Sequence, residues 1–248
     1  GEQRFLFVIP WQGRTLIGTT DTGYSGDLDD PRPEEDEIER VLKSAAQAFP
    51  GAGISTGDII SVFAGLRPLV AGSGSTAALS RKEQILESDS GLISIIGGKL
   101  TTYRKMAERT VDLVARRLGR PARSLTSEIE LAGGALPEIR RNEMARDTAS
   151  EFRVPVETAE HLIRSYGRSY RDVLEITRLS GEHKSKLVED LPHIEAEIIY
   201  AARAEMAATV EDFLARRTRI ALLARDHGRS CSARVAELMA RESRLTIA

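Results

Sequence analysis

The chain has 248 residues, of which 41% are hydrophobic and 29% charged, and its formal net charge is -2. This balance excludes a general attraction to nucleic acid, and the apolar runs are too short to span a membrane. One cysteine, Cys231, excludes an intrachain disulfide and fits a reducing, cytoplasmic setting.

The first elements predict a hairpin followed by a loop and a helix. "FLFVI" and "TLIG" are rich in strand formers, and "PWQGR" between them can form a turn. The loop after them holds the acids Asp21, Asp27, Asp29 and Asp30, which do not fit a calcium-loop pattern and are interpreted as solvated. "EEDEIERVLKSAAQAF" predicts a helix with an acidic first turn, which suits the positive end of the helix dipole.

Two further strands and a helix are expected before residue 120. "DIISVFAGLRPLV" predicts a strand that ends at a proline, and "SGLISIIGG" predicts a strand buried on both faces. From Leu100 to Leu118 the periodicity is helical, and "GRP" ends the helix.

After about residue 120 the chain becomes almost wholly helical. Breaks are expected at "VP", "YGRSY", "LSGEH" and "DLP", and the last two helices are predicted over "IEAEIIYAARAEMAATVEDFLARRTRIALLARD" and "SARVAELMARES". These patterns predict an α+β fold with two parts: an incomplete α/β part over 1–124 and a helical domain over 125–248.

The stretch "IIGGKLTTYRKMAE" predicts a binding site where a strand meets a helix. Gly97 and Gly98 allow close approach to the backbone, and the first helical amides have no partner inside the helix. Lys99 adds a positive charge, and Thr101 and Thr102 add hydroxyl donors. Taken alone, the pattern favours a tight strand-to-helix turn with an exposed lysine over a binding site.

Two arginines strengthen the prediction of an anion site. Arg67 lies among apolar residues in "AGLRPLV" and needs an anionic partner, while Arg81 precedes the strand that leads to the glycines. Taken alone, Arg81 is more typical of a surface residue. Together with Lys99, these side chains could converge on one small anion.

"AGLRPL", "SR" and "GLISIIGGKLTTYRKMAE" resemble the FAD-dependent glycerol-3-phosphate dehydrogenases of the D-amino-acid-oxidase-like flavoproteins. "FVIPWQGRTLIGTTDTGYSGD" and "IIYAARAEMAATVEDFLARRTRIAL" are similar to the same proteins, so the resemblance covers almost the whole chain. Gly23, and Lys82 to Gln84, depart from the pattern of many relatives. These departures affect the expected substrate pocket and leave the flavin-facing glycines untouched.

The resemblance implies oxidation of sn-glycerol 3-phosphate to dihydroxyacetone phosphate, with hydride transfer to FAD and electrons passed to quinone or, in the oxidase branch, to oxygen. It implies that Arg67 is catalytic and binds the substrate together with Arg81 and Lys99. The implied flavin-facing residues are Gly97, Gly98, Lys99, Leu100, Thr101 and Thr102.

The dinucleotide-binding pattern G-x-G-x-x-G of such enzymes is absent, and "GAGIST" at 51–56 is a poor match. The sequence is therefore expected to be a C-terminal part that lacks the catalytic base, binds FAD weakly and has no turnover alone. A helical interaction module without catalysis is the alternative.

Other features of the helical part are interpreted conservatively. Arg216, Arg217 and Arg219 are expected to be paired or solvated, although a peripheral contact with the inner face of the cell membrane, or a homo-oligomer, stays open. No metal site is predicted, because the histidines show no ligand spacing: His161, His183, His193 and His227.

Overall fold

A computed structural model describes residues 6–67, 83–131, 133–134, 136 and 140–246, with side chains described as far as residue 242. The chain divides into two compact units. The α/β unit comprises Gly1–Gly57 and Phe63–Ile129, and the helical unit comprises Asp58–Val62 and Glu130–Ala248. The first unit mixes strands with helices and the second is helical, so the α+β prediction is confirmed. The predicted boundary at residue 125 stays a prediction.

Two antiparallel hairpins supply the strands in the described residues of the α/β unit. Strand β1 (Phe7–Trp11) pairs with β2 (Arg14–Gly18), and the two turn residues, Gln12 and Gly13, both have positive φ. Such values at both central positions match the twist of the flanking strands. Strand β3 (Gln84–Glu87) pairs with β4 (Ile93–Ile96). The first predicted hairpin is thus confirmed.

Two helices accompany these hairpins. Helix α1 (Glu35–Ala48) begins with a capping box in which the side chains of Glu34 and Glu37 satisfy each other's backbone amides. Helix α2 (Tyr103–Arg117) follows one 3-10 turn, Leu100–Thr102. Ion pairs from Arg109 to Glu83 and from Arg117 to Glu87 connect α2 to the β3–β4 hairpin. Both predicted helices are confirmed.

Two strand predictions in this region are wrong in detail. The described part of "DIISVFAGLRPLV" forms no strand, and Asp58–Val62 belongs to the helical unit, where Ser61 Oγ donates to the carbonyl of Leu222 at 2.7 Å. Strand β4 exists, but Ile95 and Ile96 are exposed rather than buried on both faces. The reason is that β4 has one paired neighbour, β3, in the described part of the chain.

The helical unit is built from six helices of the described residues: α3 (Arg141–Phe152), α4 (Val156–Tyr166), α5 (Tyr170–Ile176), α6 (Ala196–Ala204), α7 (Ile220–Leu223) and α8 (Ser232–Thr246). Side chains from α3 to α6, among them Phe152, Leu162, Val173 and Ile199, form one buried hydrophobic core. The breaks predicted after α3, α4 and α5 are confirmed.

The long helix predicted from Ile194 to Asp226 is wrong. Met206 and Arg219 adopt positive φ and interrupt it, and the segment between them contains a π-helix, Asp212–Arg217. The Asp212 carboxylate accepts hydrogen bonds from the amides of Ala208 and Thr209, which starts a new helical segment there. None of the helices in the described residues has the length and apolar character needed to cross a membrane.

Candidate functional site

The predicted binding stretch lies at the junction of β4 and α2. Gly97 and Gly98 leave the strand with φ of 75° and 88°, a left-handed region that strains other residues. Lys99 returns to extended backbone, and Thr102 N–H then donates the first helical hydrogen bond to the Lys99 carbonyl at 2.9 Å. The amides that precede this bond lie at the positive end of the helix.

The side chains of the junction are mostly open to solvent. Lys99, Leu100 and Thr101 are exposed, whereas the Thr102 hydroxyl donates back to the Lys99 carbonyl at 3.0 Å. Thr102 therefore helps to form the turn itself. Met106 lies against Gly98 so closely that a Cβ on this glycine would overlap its thioether. The φ of Gly98 therefore favours glycine, and a larger residue would also displace the end of the Met106 side chain.

Arg67 has an anionic partner within the α/β unit. Its guanidinium donates to Asp21 Oδ2 at 2.8 Å, and both side chains are partly exposed. The sequence interpretation of Asp21 as a solvated loop acid missed this ion pair, because 46 positions separate the two residues. Arg81 lies outside the described residues, so the predicted convergence of three cations on one anion stays a prediction.

The basic cluster of the helical unit is largely paired. Arg216 bonds Glu211 at 2.7 Å and Asp212 at 3.1 Å, while Arg217 donates two hydrogen bonds to the carbonyl of Glu205. These contacts support the interpretation of packed and paired arginines.

A second group of polar side chains was not apparent from the sequence. His161 Nε2 lies 2.9 Å, and His193 Nδ1 3.3 Å, from the same oxygen of the buried Glu197 carboxylate. Tyr166 OH donates to that oxygen at 2.9 Å. The one local signal was the i, i+4 spacing of His193 and Glu197, since His161 is 36 positions from the carboxylate.

Electrostatics within this group follow from burial and from the imidazoles. Burial alone would raise the pKa of Glu197, but the charges and hydrogen bonds of His161 and His193 lower it below its usual range. Burial raises the pKa of Tyr166, and the nearby Glu197 carboxylate adds to that rise. Glu197 is therefore expected to be ionised and Tyr166 to keep its proton.

Comparison with known proteins assigns the chain to a family. Residues 124–247 match the family described as the C-terminal domain of alpha-glycerophosphate oxidase, and residues 2–104 match the family described as FAD dependent oxidoreductase. A probable mitochondrial glycerol-3-phosphate dehydrogenase of Dictyostelium discoideum is 36% identical over 96% of this chain. The aerobic glycerol-3-phosphate dehydrogenase of Bacillus subtilis is 38% identical over 87%. The chain belongs to the family described as the C-terminal domain of alpha-glycerophosphate oxidase, whose model matches half of its length.

A solved structure supports the same membership. The glycerol-3-phosphate dehydrogenase of Bacillus halodurans, determined in complex with FAD, superimposes with a TM-score of 0.79 at 34% identity and covers 96% of this chain. This chain spans 46% of that protein, 38% of the Dictyostelium relative and 40% of the Bacillus subtilis relative. It thus corresponds to less than half the length of these family members.

Proposed function

We propose that the chain forms the substrate-side and flavin-facing part, with the helical domain, of an FAD-dependent enzyme that oxidises sn-glycerol 3-phosphate to dihydroxyacetone phosphate. The division into an α/β part over 1–124 and a helical domain over 125–248 belongs to this proposal. The observation that carries it is the glycine junction at Gly97 and Gly98, which lies inside the segment matched as FAD dependent oxidoreductase. No other part of the described α/β unit offers a helix start behind two left-handed glycines.

The junction residues fit a flavin. Gly97 and Gly98 present backbone without a Cβ, and the exposed stretch Lys99 to Thr101 presents amides at the positive helix end. FAD, when bound, supplies the hydride acceptor. The amides would stabilise the negative charge that the reduced ring carries, because the turn fixes them before the charge develops, and the Lys99 ammonium would add a positive charge. Leu100 and Thr102 complete the proposed flavin-facing stretch.

The proposed substrate residues are Arg67, Arg81 and Lys99, with Arg67 as the candidate catalytic residue. Asp21 holds one nitrogen of the Arg67 guanidinium at 2.8 Å. A guanidinium carries five N–H donors in a fixed fork, so the others remain available for phosphate or for the reacting hydroxyl. Asp21 thereby acts as a positioning residue for Arg67.

The proposed electron acceptor is a quinone, reached through peripheral contact of a cytoplasmic protein with the inner face of the membrane. The curated relatives are named dehydrogenases, which favours this choice. The oxidase description of the matched C-terminal domain favours oxygen as the second candidate. Reduction of a quinone analogue without oxygen supports the first candidate, and hydrogen peroxide formed in step with substrate oxidation supports the second.

To test this function, the positive charge at the junction is removed by substitution of Lys99 in the full gene product that contains this chain. We expect Lys99→Gln to raise KM for glycerol 3-phosphate at least about tenfold, equivalent to about 1.4 kcal/mol, because a cation at the phosphate is lost. Lys105→Gln is the matched control, because Lys105 is an exposed lysine on α2 that pairs with Glu108. Its KM is expected to stay at the wild-type value.

Two results would contradict the proposal. If glycerol 3-phosphate leaves the bound flavin oxidised, a helical interaction module becomes the better explanation. Equal effects of Lys99→Gln and Lys105→Gln would remove Lys99 from the site. For the 248-residue chain alone we expect no stoichiometric flavin complex on titration with FAD.

A further inference from the structure

The buried group around Glu197 connects separate elements of the helical unit. His161 lies on α4, Glu197 lies in the first turn of α6, and His193 lies in the segment that enters α6. The rings of His161 and His193 meet edge to face, with centroids 4.2 Å apart. Side chains of His193 and Glu197 are almost fully buried, and that of His161 is 10% exposed.

Hydrogen bonding alone leaves this group incompletely satisfied. Oε2 of Glu197 is approached by three groups, His161 Nε2, His193 Nδ1 and Tyr166 OH, although a carboxylate oxygen has about two lone-pair directions. The other ring nitrogen of His193, Nε2, is buried without a hydrogen-bond partner. The crowding of three groups on one carboxylate oxygen needs an explanation, whereas Nε2 is not the His193 nitrogen beside Glu197 and is a separate unsatisfied group.

We propose that His161, His193 and Glu197 bind one divalent transition-metal ion of the zinc class. The three ligand atoms lie within 4.8 Å of one another, and two of the three separations are 2.9 and 3.3 Å. Metal–ligand bonds of about 2.0–2.1 Å place neighbouring ligands roughly 3.3 Å apart in tetrahedral coordination. The separations of 2.9 and 3.3 Å are close to that value, and the third, which lies within 4.8 Å, would shorten on binding.

The surroundings resemble the outer shell of a metal site. Ser165 Oγ lies 3.3 Å from His161 Nδ1, so it can fix the ring with Nε2 directed at the ion. The Ile194 amide donates to Glu197 Oε1 at 2.9 Å, and Tyr166 OH holds Oε2. Two imidazoles and one carboxylate favour zinc, cobalt, nickel or copper over calcium and magnesium, which prefer all-oxygen sites.

Three protein ligands leave one tetrahedral position for a water molecule, and the burial of the ligands separates the ion from bulk solvent. On binding, the metal takes the place of a proton on Nε2 of His161 and on Nδ1 of His193. A neutral ring then carries its proton on the other nitrogen, and a protonated ring releases one proton to water. The ion also offsets the charge of the buried carboxylate. The ligands are enclosed by the helical core, and the ion would connect α4 to α6. This proposal is independent of the flavin chemistry and contradicts the expectation from sequence that the chain has no metal site.

The test uses the 248-residue chain after treatment with a chelator. Titration with zinc chloride should show one equivalent bound by calorimetry, and cobalt chloride should give the visible absorption of low-symmetry coordination. Zinc should also raise the thermal midpoint, because an ion that binds only the folded state stabilises it. X-ray absorption of the zinc-loaded chain should show two imidazoles in the metal's coordination shell.

Variants locate the site. His161→Gln and His193→Gln should weaken zinc binding at least tenfold, whereas His227→Gln should leave it unchanged. His227 is a matched control because it is exposed and its ring contacts the Ala221 carbonyl, outside the group. The proposal is overturned if zinc, cobalt, nickel and copper all fail to bind stoichiometrically, or if the absorption spectrum lacks imidazole ligands. Because the absorption test uses the unmodified chain, it decides the question even where a variant does not fold.

Discussion

The two units differ in how far their apolar side chains are buried. Among the described residues of the α/β unit, Ala45 is the one fully buried hydrophobic residue, while Phe7, Leu92 and Leu100 are more than half exposed. The helical unit contains the remaining buried hydrophobic residues of the described chain, including Leu162 and Phe213. Burial of apolar surface is the main stabilising contribution in folding, so the helical unit is the more self-sufficient of the two.

This difference indicates where stability and where function reside. The helical unit has a packed core and a buried hydrogen-bonded group around Glu197, whereas Arg67 and Lys99 of the proposed site are exposed on the α/β unit. Local unfolding is therefore expected to begin in the α/β unit.

The largest effect on stability is expected when one helical valine in each unit is truncated to alanine and the two losses are compared. Val173 on α5 is fully buried, and Val111 on α2 is 62% exposed. Val173→Ala should cost about 2–3 kcal/mol, from two lost methyl groups and the cavity they leave. Val111→Ala should change stability by less than about 0.5 kcal/mol, because it removes no core contact.

Chemical unfolding followed by circular dichroism measures both changes. The interpretation of the helical unit as the stable part fails if the two valines prove equally costly to truncate. The interpretation is supported if Val173→Ala shifts only the unfolding transition that occurs at the higher denaturant concentration.

An intermediate effect is expected at the glycine junction, which is the most demanding backbone position of the proposed site. Gly98→Ala should destabilise the α/β unit by about 1–2 kcal/mol, because alanine is strained at φ of 88° and its Cβ would displace Met106. Gly65→Ala is the matched control, since nothing lies within 4 Å of its added Cβ.

Proteolysis under native conditions monitors the unfolding of the α/β unit and compares the stability of the two variants. If Gly98→Ala is tolerated as well as Gly65→Ala, the left-handed junction is not a structural requirement of the α/β unit.

Local signals account for what the sequence predicted correctly. The hairpin of β1 and β2 follows from strand formers around a short turn, and α1 follows from its acidic first turn and one apolar face. Helix α2 was equally clear because its periodicity continues without a break to "GRP". In each case residues close in sequence determine the structure.

Long-range contacts account for what the sequence did not predict. The ion pair of Arg67 with Asp21 and the group around Glu197 join positions 46 and 36 residues apart. The predicted long helix broke at Met206 and Arg219, where the cap at Asp212 and the bonds from Arg217 to the Glu205 carbonyl outweigh helix propensity. Periodicity carries no information about such partners, because they depend on how the elements pack.

The smallest expected effect is a dependence of folding stability on acidic pH, which arises from Asp226 in the turn between α7 and α8. The side chain and amide of Ser230, together with the Gly228 amide, donate to Asp226 and lower its pKa to about 2. In the unfolded chain an aspartate titrates near 3.9. Because the folded pKa is the lower one, this contribution is present above about pH 3.9 and is lost as the pH falls through 2.

Carbon-detected NMR titration of the Asp226 carboxyl should therefore give a midpoint near 2, and Asp226→Asn should flatten the acid dependence of unfolding below pH 4. The effect is small because the carboxylate is exposed and water screens it. Glu37 in the α/β unit offers the parallel case, since the Thr22 hydroxyl and the Glu34 amide lower its pKa. We expect Glu37→Gln to alter acid unfolding more than Asp226→Asn does, because local polar contacts contribute a larger share of the stability of a unit with so little buried core. An equal or smaller effect of Glu37→Gln would contradict this comparison of the two units.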